Sequence, residues 1–296
     1  MLVVLLLTAA GCSSPSKTAT PASAATPAPA STTATTPKTV TIVITPQFDF
    51  VSAFSDGLAP VRIGDDTTGK WGFIDKTGHF VINPQFDWAN SFSDGLAAVR
   101  IGDEKTGKWG FIDKTGHFVI NPQFAGALPF SDGLAQVGIG DKWGFIDKTG
   151  HFVINPQFAG TLAFSDGLAM VLIGGPETGK WGFVDKTGHF VINPQLDWAD
   201  SFSDGLARVR SGDDTTGKWG FIDKTGHYVI NPQFDSAEPF SDGLAAVRIG
   251  GWETGKFGFI DKTGHIVINP QFDFVSAFSD GLAAVRIGSK WGYIAR

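Results

Sequence analysis

One string, Lys-Trp-Gly-Phe-Ile-Asp-Lys-Thr-Gly-His-Phe-Val-Ile-Asn-Pro-Gln-Phe, recurs with few changes along this chain, accompanied each time by Phe-Ser-Asp-Gly-Leu-Ala. Its aromatic-Gly pair begins at Trp71, Trp109, Trp143, Trp181, Trp219, Phe257 and Trp291, so the period is 38, 34, 38, 38, 38 and 34 residues. A fixed period in this range means one supersecondary unit copied and stacked, because a single unit cannot bury its own apolar face. It also works against a conventional active site, whose residues must differ from copy to copy.

In the second copy, residues 96–101 read as a strand, 102–107 as a loop, 108–113 as a second strand and 117–121 as a third. Lys114-Thr115-Gly116 forms a three-residue hairpin loop in which the glycine takes the left-handed conformation. Pro122 cannot donate to a ladder and is expected to end its strand. A short fourth element follows, and Ser-Asp-Gly marks another hairpin. No segment carries a helical period. Alternation places Trp71, Phe73 and Asp75 on one face together with His79, Val81 and Asn83, and Ile74, Phe80 and Ile82 on the other. Both faces are apolar, so each small sheet must be sandwiched between neighbours, as in a propeller.

The ends of the chain bear on closure. Residues 39–48 align with the His-Phe-Val-Ile-Asn-Pro-Gln-Phe strand but have no Trp-Gly strand before them, and the chain stops at a Trp-Gly strand with no partner after it. Each end supplies what the other lacks, which is how propellers close and avoid a bare edge. The expected fold is all-β: seven repeats of a 34–38-residue antiparallel hairpin unit, closed into a seven-bladed propeller-like toroid. Its last blade is shared between residues 39–46 and 291–294. An open β-hairpin solenoid is the alternative.

The strings Lys-Trp-Gly-Phe-Ile-Asp-Lys-Thr-Gly and Phe-Ser-Asp-Gly-Leu-Ala resemble the WG (or KWG) repeat family of bacterial proteins, over residues 40–296. The resemblance implies an envelope or secreted module. It brings no shared activity and no catalytic residue.

Residues 2–7 are an apolar run, and Cys12 is the only cysteine. The run is far shorter than the roughly 20 apolar residues of a spanning helix and suits the core of a signal peptide. Ala9-Ala10-Gly11-Cys12 resembles the lipobox of bacterial lipoproteins, which implies cleavage before Cys12, a lipid on that cysteine and a place in the cell envelope. Ser13 in the next position implies the outer membrane if the host is Gram-negative. Residues 13–38 are nearly all Ser, Thr, Ala and Pro and lack large apolar side chains, so they are expected to remain a tether. The domains are therefore a signal peptide over 1–11, the lipidated cysteine and tether over 12–38, and the repeat body over 39–296.

Chemistry has to be sought where the copies differ. The six histidines occupy one slot after the turn, one per copy, which suits cross-strand pairing with the preceding Asp (Asp75 with His79) and gives no metal-ligand cluster. Of the 29 Asp and Glu, 18 are in register with the repeat and nine lie in the loop before the Trp-Gly strand, leaving Asp200 and Glu238 as singular acids. No pair across one cleft, as a glycosidase needs, stands out. There is no P-loop, dinucleotide fingerprint or Ser-His-Asp set, so neither an enzyme nor a cofactor is expected. A net charge of −6 spread along the repeats excludes a nucleic-acid surface.

What varies is the loop before the Trp-Gly strand, which has a five-residue insert in five copies and one residue in two. Such inserts map to one rim, often the binding rim. Trp252 lies in one of them and is expected to be exposed. Trp88 and Trp198 break the repeat in the short element, where they either pack between sheets, the favoured reading, or stack on a sugar ring. The expected function is a non-catalytic, lipid-anchored envelope module, monomeric, that binds or scaffolds a protein or an envelope polysaccharide through its loops. A lectin-like carbohydrate-binding protein is the alternative, and a glycan-active enzyme a third reading.

Overall fold

The computed structural model describes residues 42–175, 178–213 and 215–296. Cys12, the signal peptide and the tether lie outside the described residues. Residues 43–296 form one compact unit, and every strand among the described residues lies within it. This body therefore contains its whole core.

The first sheet comprises β1 (Phe50–Val51), β2 (Ala59–Ile63), β3 (Lys70–Ile74) and β4 (Phe80–Phe86), each antiparallel to the next. Sheets 2 to 6 repeat this order, and sheet 7 has three strands, Phe274–Val275, Leu282–Ile287 and Lys290–Ala295. The turn between β3 and β4 closes as expected, with the Asp75 and Gly78 amides donating to the carbonyls of His79 and Asp75, and Gly78 at φ 89°.

Two expectations about the third long strand are corrected. Pro84 does not end it: β4 runs through Pro84 to Phe86, because the proline sits in a bulged edge strand where no ladder donor is required. The register also shifts twice, with Ile74 opposite Phe80, Phe73 opposite Ile82 and Trp71 opposite Phe86. The extra residues turn Ile82 onto the face of Phe73, where simple alternation had placed Val81. Gly72 makes this possible. A Cβ there would lie 2.5 Å from the Ile82 carbonyl oxygen and 2.7 Å from the Pro84 nitrogen, and the equivalent glycines of sheets 2 to 6 are as tightly covered.

Each sheet thus acquires two unlike faces. Leu58, Trp71, Phe73, Ile82 and Phe86 leave sheet 1 on one side and meet Ala89, Phe92, Ala97, Val99 and Ile112 of sheet 2. The same positions meet between sheets 2 and 3. Large aromatics on one face enter a face of mostly small residues on the next, where Phe92 meets Phe73. The twelve largest fully buried side chains are all Phe, each contributing about 2–3 kcal/mol relative to exposure. Polar ties run alongside. Ser55 Oγ donates to the Phe92 carbonyl at 2.6 Å, and five equivalent bonds link the later sheets. Seven small antiparallel meanders, each packed face to face on the next, are the propeller-like arrangement expected from the sequence.

The ladder expected to close a ring is not present among the described residues. The strand Lys290–Ala295 pairs only with Leu282–Ile287, and residues 42–46 form no strand. Ile44 and Phe48 lie instead against Ala59, Val61 and Ile74 of sheet 1.

Gly110→Ala should destabilise the body by about 1–3 kcal/mol, since the methyl group would meet backbone rather than a movable side chain. Gly251→Ala, with nothing within 4 Å of its Cβ position, should stay within about 0.5 kcal/mol. Urea unfolding of the two variants checks this, and equal midpoints would refute the role given to the glycine.

Candidate functional site

The insert loops follow β2 and its equivalents, and three of the five are built around an aspartate, while Gly175 and Gly251 hold that position in the other two. Asp65 Oδ1 accepts from the Thr67 amide and hydroxyl and from the Thr68 amide at 2.7–2.8 Å, and the Gly69 amide donates to the Asp65 carbonyl at 3.0 Å. Hydrogen bonds from Thr67, then Thr68, hold the Asp65 carboxyl well below the ordinary range. Asp103 and Asp213 do the same in their loops. These carboxylates are committed to loop geometry. Asp87 ties neighbouring sheets, accepting from Lys70 Nζ at 2.5 Å and from the Gly102 amide at 2.8 Å. Burial pushes its carboxyl up, but those two donors outweigh burial and lower it.

Successive loops leave clefts between them. A cleft of about 510 Å³ lies between the loops of sheets 1 and 2, lined by Trp71, Trp88, Trp109, Arg62 and Arg100, with Asp66, Asp103 and Glu104 at its mouth. A second, of about 650 Å³, adjoins it and is lined by Phe50, Ser52, Asn90, Ser91, Leu128 and Pro129, with Arg62, Asp66 and Trp71 common to both. Trp88 also lines both. Its ring lies 5.2 Å from that of Trp71, and its Nε1 donates to Asn90 Oδ1 at 3.1 Å, yet it remains 42% exposed.

The three tryptophans singled out from the sequence are not brought together. Trp198 is partly covered and edge-on to Trp181 at 6.0 Å, a packing role. Trp252 is 87% exposed, has the Arg248 guanidinium over it at 4.8 Å, and lines a separate cleft of about 300 Å³ between the loops of sheets 5 and 6. Trp88 combines packing with exposure. Sequence reasoning missed the arginines at the fourth position of β2 and its equivalents, such as Arg62 and Arg100, which lie 5.9 Å from the rings of Trp71 and Trp109. A register count across strands would have placed each opposite its Trp.

Each histidine meets the Asp before its turn through the backbone, while its ring takes the turn threonine: His79 Nδ1 lies 2.8 Å from Thr77 Oγ1. The Thr77 hydroxyl also lowers the Asp75 carboxyl, with burial opposing. Among the described residues no group of His, Cys, Asp and Glu is placed to hold a metal ion, and no helix is long and apolar enough to cross a membrane.

The two singular acids have a common partner. Arg208, out of register with the other arginines, pairs through Nε with Asp200, approaches Glu238 Oε2 at 3.5 Å through Nη1, and donates to the Ala237 carbonyl. Asp200 and Glu238 thus share one guanidinium, which joins sheets 5 and 6.

Seven segments, residues 41–65, 71–104, 109–143, 143–175, 181–213, 219–251 and 257–291, match the family described as WG containing repeat. The chain belongs to that family. Each complete WG repeat starts at the third strand of one sheet and ends past the second strand of the next, so the sequence repeat straddles two sheets. No curated protein matches this WG-repeat chain by sequence. Among solved structures it is similar to the β-propeller domain of the Trilobed protease from Pyrococcus furiosus (12% identity, 81% of this chain, 91% of that one, TM-score 0.44). It is also similar to Kluyveromyces lactis Hsv2 (12% identity, 77% and 86%, TM-score 0.41) and to the tricorn protease (13% identity, 80% of this chain, TM-score 0.40), of whose chain it spans 32%. At these TM-scores the likenesses say nothing of what the WG-repeat protein binds.

Arg208→Ala would leave two neighbouring carboxylates without their cation and should cost about 1–3 kcal/mol. Adding Asp200→Asn and Glu238→Gln should recover part of that loss, as a double-mutant cycle by urea unfolding would read. Strict additivity would show that the three groups do not interact.

Proposed function

We propose that this protein is a non-catalytic binding module of the cell envelope whose insert-loop rim takes a sugar polymer beside Trp88. The observation that carries this reading is the half-exposed indole of Trp88, which lines two adjoining clefts and is fixed by Trp71 and Asn90. A pyranose presents an apolar face of C–H bonds, which an indole face complements, and a rim of hydroxyls. Arg100 and Glu104 in one cleft, and Ser52, Asn90 and Ser91 in the other, supply donors and acceptors for those hydroxyls. The cleft volumes fall within the usual range of ligand sites, about 300–1,000 Å³. Loops bonded to their own aspartates are ordered before a ligand arrives, which lowers the entropy cost of binding. The non-catalytic reading is supported by the fate of the acids: Asp65, Asp87, Asp103, Asp200 and Glu238 are bonded to loop, lysine or arginine partners.

Retention of the 39–296 body on insoluble cell-wall polysaccharide, eluted by competing sugar, tests this. Trp88→Ala should weaken retention about tenfold, the equivalent of about 1.4 kcal/mol. Retention unchanged by that substitution, or absent from the unsubstituted body, would sink the reading.

The same proposal places the body on a membrane through a lipid on Cys12, with residues 13–38 as its tether. Cys12→Ser should move the protein out of the detergent-soluble membrane fraction or leave an uncleaved precursor. Unaltered partitioning would refute the anchor.

A further inference from the structure

The seven sheets make six joins, and each is built from the same parts. The aromatic face of one sheet enters the small-residue face of the next, a Phe pair such as Phe73–Phe92 meets at 4.7–4.9 Å, and a Ser hydroxyl bonds a Phe carbonyl. The two ends of the array carry the unmatched halves of a seventh join. At the C-terminal end, Leu282 is 48%, Trp291 58% and Tyr293 75% exposed, whereas their equivalents Leu58, Trp71 and Phe73 are 7%, 4% and 0% exposed. At the N-terminal end, Phe54 is 42% exposed, whereas its six equivalents are 0–3% exposed.

The N-terminal end also holds the residues that align with the strand sheet 7 lacks, here as an irregular segment. Ile44 and Phe48 lie on Ala59, Val61 and Ile74 as Ile82 and Phe86 lie on Ala97, Val99 and Ile112. The Phe48–Phe80 ring pair at 5.8 Å matches Phe86–Phe118 at 6.1 Å. Beside them an apolar cavity of about 370 Å³, lined by Ile44, Phe48, Val51, Phe54 and Val61, is open where a preceding sheet's aromatics would enter. The leading segment is seated, so the missing piece is the aromatic face itself. Among the described residues no ladder, hydrogen bond or ring contact brings sheet 7 to sheet 1 of the same chain.

We propose that sheet 7 of one copy joins sheet 1 of a second copy, head to tail, with the second copy's residues 44–48 serving as the fourth strand of sheet 7. The join would repeat the six already present and would cover Leu282, Trp291, Tyr293 and Phe54 together. Because it pairs two different surfaces, a single join leaves one of each free at the ends of a dimer, where further copies add to form a chain or, if the rotation closes, a ring. The proposal departs from the monomer expected from the sequence and is independent of what the loop rim binds.

Light scattering on the 39–296 body, over rising concentration, reads the assembly. The unsubstituted body should pass from monomer to dimer and longer species, reversibly on dilution. Gly292→Ala has nothing within 4 Å of its Cβ position in one chain, but its six equivalents are each pressed by fourth-strand backbone. It should therefore keep the unfolding midpoint of the dilute body and abolish assembly from the sheet 7 end. Phe54→Asp should abolish it from the sheet 1 end. Each variant alone should be monomeric, and their mixture should form a one-to-one dimer and nothing longer, through the single intact join. A body that is monomeric at every concentration overturns the proposal in favour of closure within one chain. Growth that persists in either variant, or a mixture that stays monomeric, overturns it as well.

Discussion

The close approach of the fourth strand's backbone to the glycine of each Trp-Gly pair is the constraint on which the rest depends. With no Cβ at Gly72, the Ile82 carbonyl and Pro84 nitrogen come within the volume a methyl group would need, and β4 can bulge over β3. The bulge puts Ile82 and Phe86 on the side of Trp71 and Phe73. That gathers five large side chains on one face and leaves Ala, Val and Ile on the other. A sheet with such faces is insoluble alone and complete only between neighbours.

The joins follow from that asymmetry, as do the polar edges. Aspartates of the Ser-Asp-Gly turns sit at φ of 51–55°, a conformation Asp tolerates better than most residues. Several of their carboxylates accept the glycine amide of the next turn, as Asp56 does from Gly95 at 2.9 Å. Phe burial supplies the stability, while these bonds and the serine hydroxyls set the spacing.

Much of this was legible in residue order. The period, the turns at Lys-Thr-Gly and Ser-Asp-Gly and the two apolar faces follow from local chemistry, and the structure has them. The strand through Pro84 and the face of Ile82 were misread because alternation assumes an unbroken pleat, and a bulge is visible only when two backbones are seen together. The tryptophans were legible as departures from the repeat. That Trp88 would stand half-exposed against Trp71, while Trp198 turned its edge to Trp181, depended on neighbouring side chains from another sheet.

The sequence by itself determined that the chain is an all-β array of seven like units and that its variation in length falls in one loop, because both are properties of local period and turn chemistry. Only the tertiary structure decided that Arg208 gathers Asp200 and Glu238, that clefts open between successive loops, and that Trp291, Tyr293 and Phe54 stand uncovered at the ends. Those outcomes depend on which surfaces meet across residues far apart in the chain. A repeated sequence, being the same at every step, states how each unit joins the next and does not state where the last unit meets the first.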